Sequence, residues 1–364
     1  MHPIDELALL LRPAGGGLYL VSTGLAEQES AQRALYGASD KAGIDKAFRK
    51  NLESIANAHT FIAAIPSDVG AGFVRGANLG PQAIRTESLQ ERHWPQWCEE
   101  RGIVDIGDVF VVPQLLHDSM LNDAQIARAR KALYPAATEA LPVSPLSIAE
   151  RAFDLVYALN PRIKPFIIGG DHSCAWPAVA SLHKARSDFA IVQSDAHTDL
   201  LETRLGVEYC FATWSYHANE MLGRGGKLVQ VGIRATRFPK VHWESTLSVK
   251  QFWASECRQD PEGVIERIVG HCNSLNVNSI YFSNDIDGID EGYADATGTP
   301  EPDGLEPELL FNLIDKLGRE VGICGADIME VAPLAERSQG GTARTIALAT
   351  RFVRASLDAM TRSS

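Results

Sequence analysis

Long hydrophobic runs are missing from this chain. No stretch approaches the roughly 18 apolar residues of a membrane-spanning helix. The start, Met1-His2-Pro3-Ile4-Asp5-Glu6, is acidic where a secretory leader is basic, and Leu7-Ala8-Leu9-Leu10-Leu11 is too short for a leader's apolar core. An excess of positive charge is also missing: 34 Lys and Arg stand against 46 Asp and Glu, a formal net charge of −12. Nucleic-acid backbones and anionic membranes require clustered Lys and Arg, so neither is an expected partner, whereas a cationic substrate is compatible. The six cysteines include no C-x-x-C pair and no regular spacing, which argues against a zinc knuckle or a disulfide framework and for reduced packing residues. Internal repeats and low-complexity segments are absent. The cytoplasm is the expected location.

What is present is an ordinary globular balance, 45% apolar and 22% charged over 364 residues, enough for a sizeable core. Residues 1–58 are expected to form an N-terminal helical extension, with helices over 4–11 and 31–55 separated by Pro13-Ala14-Gly15-Gly16-Gly17. From 59 to 364, strand-like and helix-like runs alternate in what reads as one catalytic domain. Strands are expected at 61–66, 103–108, 228–233, 280–282 and 323–329. Helices are expected after Gly80-Pro81, after the capping-box spacing Ser147…Glu150, and over 342–360. The connections are too long for hairpins, so the fold class is α/β, with a mainly parallel sheet covered on both faces.

Three apolar runs finish in metal-binding residue types. They are Phe166-Ile167-Ile168-Gly169-Gly170-Asp171-His172, then Ala190-Ile191-Val192-Gln193-Ser194-Asp195-Ala196-His197-Thr198-Asp199, then Ile280-Tyr281-Phe282-Ser283-Asn284-Asp285-Ile286-Asp287. Open α/β sheets carry their chemistry at the carboxyl ends of the strands. Alternate residues on a strand point to one side, so Asp195, His197 and Asp199 are expected to face one cluster as their strand runs out. Asp285 and Asp287 repeat that spacing, and His172 arrives from a third strand. Four crowded aspartates repel unless cations neutralise them. Carboxylates with two imidazoles suit Mn²⁺, Ni²⁺, Fe²⁺ or Zn²⁺. Six ligands exceed the need of one ion, so two divalent metal ions per subunit are expected, about 3.5–4 Å apart.

These runs, together with Gly298-Thr299-Pro300-Glu301-Pro302-Asp303-Gly304, Gly325-Ala326-Asp327-Ile328-Met329-Glu330 and Gly76-Ala77-Asn78-Leu79-Gly80-Pro81, resemble the ureohydrolase (arginase and agmatinase) family from about residue 60 to the end. The resemblance implies a three-layer α/β/α arginase-like fold and hydrolysis of a linear amidine to urea and an amine or ammonia. It implies one metal held by His172, Asp195, Asp199 and Asp285, and another by Asp195, His197, Asp285 and Asp287. Asp199 would also orient the attacking water, and Glu330 would bind the guanidinium. It implies a homotrimer or hexamer, with a hetero-oligomer as an alternative. Asp171 is expected to orient neighbouring groups, Asp290 to be structural and Asp327 to be buried and hydrogen-bonded.

One departure bears on substrate. Many relatives carry a His-Gly motif between the second and third metal strands. Here the matching stretch is Tyr209-Cys210-Phe211-Ala212-Thr213-Trp214, with Phe211 at the histidine position, while His217 reads as a helix or surface residue. Phe211 and Trp214 are expected to bind substrate, since aromatic faces suit cations; packing the core under the loop is the alternative. With the long N-terminus, this pattern is most similar to the guanidine hydrolase branch, which implies guanidine, a methylated guanidine or a biguanide as substrate and Ni²⁺ ahead of Mn²⁺. An agmatinase, a guanidino-acid hydrolase, a formiminoglutamase or a non-catalytic subunit of a mixed oligomer are the alternatives.

Overall fold

The structure, a computed structural model, describes residues 1–362 apart from Tyr19, Val21, Phe73 and Arg92; Ser363 and Ser364 lie outside the described residues. Among the described residues nine strands form one sheet: β1 (Leu11–Arg12), β2 (Thr60–Ile65), β3 (Ile103–Val109), β4 (Lys164–Gly169), β5 (Phe189–Ser194), β6 (Leu228–Ile233), β7 (Lys250–Trp253), β8 (Ser279–Asn284) and β9 (Ile323–Ile328). Their order is β1-β3-β2-β4-β9-β8-β5-β6-β7, and every pairing except β1 with β3 is parallel. The central strands read as unbroken apolar runs because both faces are covered. Along β5, Phe189 and Ile191 pack into one apolar cluster, whereas Ala190 and Val192 pack into the other. Helices Pro145–Leu159 and Ala175–Ala185 lie together over the first face, and helices Pro307–Glu320 and Gly341–Arg362 over the second. The result is a three-layer α/β/α fold.

Local starts and stops differ from the sequence expectations where a stronger signal competes. The helix expected to be capped by Ser147 begins earlier, at Pro145, whose fixed φ suits the first turn. Ser147 Oγ instead accepts the backbone N–H of Asp118 at 3.0 Å. The run expected as one helix over 31–55 divides into Leu25–Tyr36 and Lys41–Ser54. Gly37 ends the first at φ 59°, and the Asp40 carboxylate starts the second by accepting the Gly43 N–H.

The first 58 residues share the core of the rest. Leu7, Leu10, Leu11, Leu52 and Ile55 are fully buried in the same cluster as β2 and helix Pro145–Leu159. Burial of each such side chain contributes about 1.5–3 kcal/mol. Strand β1 extends the sheet, Gly17 N–H donates to Asp108 Oδ2 at 3.0 Å, and Arg151 Nη2 meets Glu6 Oε2 at 2.9 Å. All six cysteines are free. Among the described residues no helix is long and apolar enough to cross a membrane.

Strands β4, β9, β8 and β5 are consecutive neighbours and parallel. Their carboxyl ends therefore deliver His172, Glu330, Asp285 and Asp195 to one edge of the sheet.

Candidate metal centre

The six expected ligands converge, although not by the extension of strands. Strand β5 ends at Ser194, before Asp195. Asp195, His197 and Asp199 are gathered by an irregular turn in which Asp199 adopts a left-handed backbone, φ 52°. Asp287 sits in a 3₁₀ turn, Ile286–Gly288, entered through Asp285, whose Oδ1 accepts the Asp287 N–H at 2.9 Å. His172 opens another such turn, His172–Cys174. The alternation expected from a strand is thus replaced by tight turns, which bring carboxylates closer than a pleated strand allows. Glu330 also has a positive φ, 63°. Non-glycine residues rarely hold that conformation, and they concentrate at functional sites where surrounding structure over-determines it.

Two clusters share one carboxylate. His172 Nδ1 lies 2.9 Å from Asp285 Oδ2, 3.2 Å from Asp195 Oδ2 and 3.5 Å from Asp199 Oδ2. His197 Nδ1 lies 3.1 Å from Asp287 Oδ2 and 3.5 Å from Asp195 Oδ1. Asp195 therefore turns one oxygen to each group. Among the described residues, two sets, His172 with Asp195 and Asp199, and Asp195 with His197 and Asp287, place their ligand atoms close enough for an ion. No Lys or Arg side chain forms an ion pair with these aspartates among the described residues, so their charge is left for protons or metal ions to compensate. This donor chemistry fits two divalent ions.

Supporting contacts fix the ligands. His172 Nε2 faces Ser283 Oγ at 3.0 Å, and that hydroxyl donates to Asp327 Oδ1 at 3.0 Å. A proton on Nε2 leaves Nδ1 free as the ligand. Thr299 Oγ1 donates to Asp287 Oδ2 at 2.9 Å, and Glu301 Oε1 stands 3.7 Å from His197 Nε2. Arg234 donates to the carbonyls of Asp287, Gly288, Ile289 and Glu301, tying the two loops together. Neither Thr299, Glu301 nor Arg234 was expected to take part. Ser283 betrays itself only as a polar interruption in an apolar strand.

In the metal-free chain, protons do the work of cations. Burial, with the charge of Asp195, pushes Asp199 well above the carboxylate range. Burial, with Asp287 and Asp195, does the same to Asp285. Burial also opposes ionisation of Asp195, but hydrogen bonds from His172 and His197 outweigh it and hold that carboxyl low. Both imidazoles are desolvated, which lowers them, yet their aspartate partners win and raise them. Glu330 is raised by burial and by Asp171, while the His172 N–H donates to its Oε1 at 2.9 Å. Such a carboxylate is poised for a cationic partner.

The aromatic residues take different places. Trp214 is fully buried, its Nε1–H donates to Asp199 Oδ2 at 3.1 Å, and its ring stacks on His172 with centroids 4.6 Å apart. As the first residue of helix Trp214–Met221, it packs against two candidate ligands, which favours the packing alternative over substrate contact. Phe211 is half-buried, receives Arg204 over its ring at 4.7 Å, and lies 3.0 Å from where a Cβ on Gly72 would stand. Phe211 and Arg204 line a cleft of about 330 Å³ with Gly70, Ala71 and His117. His217 is away from the ligands, its Nε2 within 3.1 Å of the Glu202 and Glu208 carbonyls. Asp171 is fully buried, with Oδ1 accepting the Ser173 N–H, and burial raises it to about 6. Asp290 accepts from the backbone of Gly292 and Gly304, and Asp327 from Ser283 and Asn284.

Comparison with known proteins identifies the family. The chain is 29% identical over 289 residues to mitochondrial agmatinase from Gallus gallus, covering 77% of this chain and 75% of that protein. It is 26% identical over 278 residues to guanidinobutyrase from Pseudomonas aeruginosa, covering 74% and 77%. Proclavaminate amidino hydrolase from Streptomyces clavuligerus superposes with a TM-score of 0.67 at 26% identity, covering 85% of this chain and 93% of that one. Residues 58–357 match the model of the arginase family, so the chain is a member of that family and a hydrolase of amidino C–N bonds.

Proposed function

We propose that this enzyme is a two-metal amidinohydrolase for a small, compact guanidine, guanidine itself or a methylated or biguanide relative, releasing urea and ammonia or an amine. His172, Asp195, Asp199 and Asp285 would hold one ion, and Asp195, His197, Asp285 and Asp287 would hold the other, with Asp195 and Asp285 serving both. Bound there, two divalent ions supply Lewis acidity and water activation at neutral pH, and Ni²⁺ or Mn²⁺ suits the ligand set. Glu330 Oε2 receives the guanidinium while Oε1 stays anchored on the His172 N–H. Asp199, locked by the Trp214 indole, orients the water oxygen toward the amidino carbon. The C–O bond forms, one C–N bond breaks, and both protons of the attacking water pass to the departing nitrogen, so that a guanidinium yields urea and an ammonium. Phe211 has no proton to give, which favours a leaving group as small as ammonia.

The observation that carries the substrate size is the Phe211 ring packed on Gly72, in a segment whose Gly70 backs onto Ser173 and Asp171. A Cβ on Gly298 would stand 3.2 Å from the Val74 carbonyl oxygen and 3.7 Å from Glu330 Oε2, so space beside the carboxylate is narrow. Arg204 favours a second reading, because an exposed cation over Phe211 could meet the carboxylate of a guanidino acid. Urea release from guanidine, methylguanidine, agmatine and 4-guanidinobutyrate, with Ni²⁺ and Mn²⁺ in turn, decides. Guanidine and methylguanidine should be cleaved. Activity on agmatine alone refutes the compact substrate, preference for 4-guanidinobutyrate selects the second reading, and formamide as product would mark a formiminoglutamase. A homotrimer or hexamer is proposed as the assembly, which light scattering tests.

A further inference from the structure

Four buried or half-buried side chains form a directed hydrogen-bond chain that runs from the edge of the sheet to the shared carboxylate. Trp253 Nε1 donates to Gln251 Oε1 at 2.9 Å, Gln251 Nε2 to Gln230 Oε1 at 2.8 Å, Gln230 Nε2 to Gln193 Oε1 at 2.8 Å, and Gln193 Nε2 to Asp195 Oδ2 at 2.7 Å. Strand register builds it: Gln193 is paired with Gln230 across β5 and β6, and Gln230 with Gln251 across β6 and β7. The three glutamines are fully buried. A primary amide can run in either sense, but both ends here are fixed. An indole N–H only donates and a carboxylate only accepts. Two side contacts agree with that sense, since Ser215 Oγ donates to Gln193 Oε1 at 2.8 Å and the second N–H of Gln230 reaches the Thr198 carbonyl at 2.6 Å. Every amide dipole is therefore aligned, and such chains polarise one another.

We propose that this glutamine ladder is a positioning device for the metal centre, in which Gln193, Gln230 and Gln251 fix the plane of Asp195 so that its two oxygens address two separate ions. The inference rests on the two-metal reading above. Its distinctive content is that residues two strands away from the ligands set ion affinity, and that the effect fades with distance along the ladder. Asp195 Oδ1 is held independently by the His197 N–H at 2.6 Å. Loss of the ladder therefore frees Oδ2, the oxygen on the His172 side.

The test is titration of the metal-stripped full chain with Mn²⁺, reading free ion by its spin-resonance signal, with thermal unfolding of the same samples. Gln193→Met keeps the length of the side chain but cannot donate, and should weaken one of two ions by about 10–100-fold, the range for contacts that orient a ligand. Gln251→Met and Trp253→Phe should weaken the same ion by smaller, graded factors, and Trp253, at the sheet edge, is the change most easily accommodated. Phe252→Leu, on the opposite face of β7, is the control: it should lower the unfolding temperature without altering ion affinity. If the ladder variants lower only the unfolding temperature, as Phe252→Leu does, the proposal is overturned. If even the unsubstituted chain binds fewer than two ions, the two-metal reading fails first, and the two failures are distinct.

Discussion

Replacing Trp214 by Phe separates two roles that the sequence alone leaves confused. The ring that stacks on His172 is partly retained, whereas the indole N–H to Asp199 Oδ2, 3.1 Å long, is lost. A hydrogen bond to a charged group is worth about 1.5–3 kcal/mol. An orienting contact to a ligand typically carries 10–100-fold in metal affinity, about 1.4–2.7 kcal/mol, so the two figures agree. The smaller ring also leaves a void in a fully buried position, which costs on the order of 1–3 kcal/mol of metal-free stability. The assay is competition for Mn²⁺ against a chelator of known affinity, with KM measured on metal-saturated enzyme. Weaker ion binding with an unchanged KM is expected. A raised KM with unaltered ion affinity would refute the bracing role and restore the ring to the substrate pocket.

Further outcomes follow from the same geometry. Glu330→Gln keeps an oxygen for the His172 N–H but removes the charge, so urea release should fall at least 100-fold while elemental analysis still finds the ions; retained activity would remove Glu330 from the substrate site. Leu7→Ala should cost about 2–5 kcal/mol in chemical denaturation, because that side chain is fully buried in the common core; a neutral effect would make the first 58 residues a mere appendage. The metal-free chain should unfold at higher temperature near pH 6 than near pH 8. Asp199, Asp285 and Glu330 are raised by burial and by their neighbours, and Asp327 is raised by burial to about 6. The native state therefore holds protons that the unfolded chain releases above about pH 4, and its stability falls as pH rises. The raised histidines act in the same sense, their contribution being complete below about pH 6.5 and declining steadily as pH rises toward their raised folded values. A metal-free chain equally stable at both values would contradict the sign.

The candidate ligands were legible because chemistry interrupts pattern: His172, Asp195 and Asp285 each end an apolar run, and Glu330 follows another. The alternation of strand and helix likewise showed a parallel α/β sheet. Spatial order was not legible. Strand β9, late in the chain, inserts between β4 and β8, and that insertion carries Glu330 to the backbone of His172. The turns that gather Asp199 and Asp287 depend on contacts across four strands, so the local rule of alternation does not describe how these candidate ligands meet. For Trp214 the sequence leaves substrate contact and packing both open, because it gives neighbours along the chain and not the side of the candidate ligands on which a ring lands. Gln193 and Gln230 were visible as polar residues in apolar strands, yet their meaning appears only when register places them side by side.

Diffraction from crystals of the Mn²⁺-loaded enzyme, collected at the manganese absorption edge, is the most direct measurement. Two anomalous peaks about 3.5–4 Å apart are expected, one among His172, Asp195, Asp199 and Asp285, the other among His197, Asp195, Asp285 and Asp287. A single peak, or peaks remote from Asp195, would contradict a hydrolase built on two ions sharing that carboxylate.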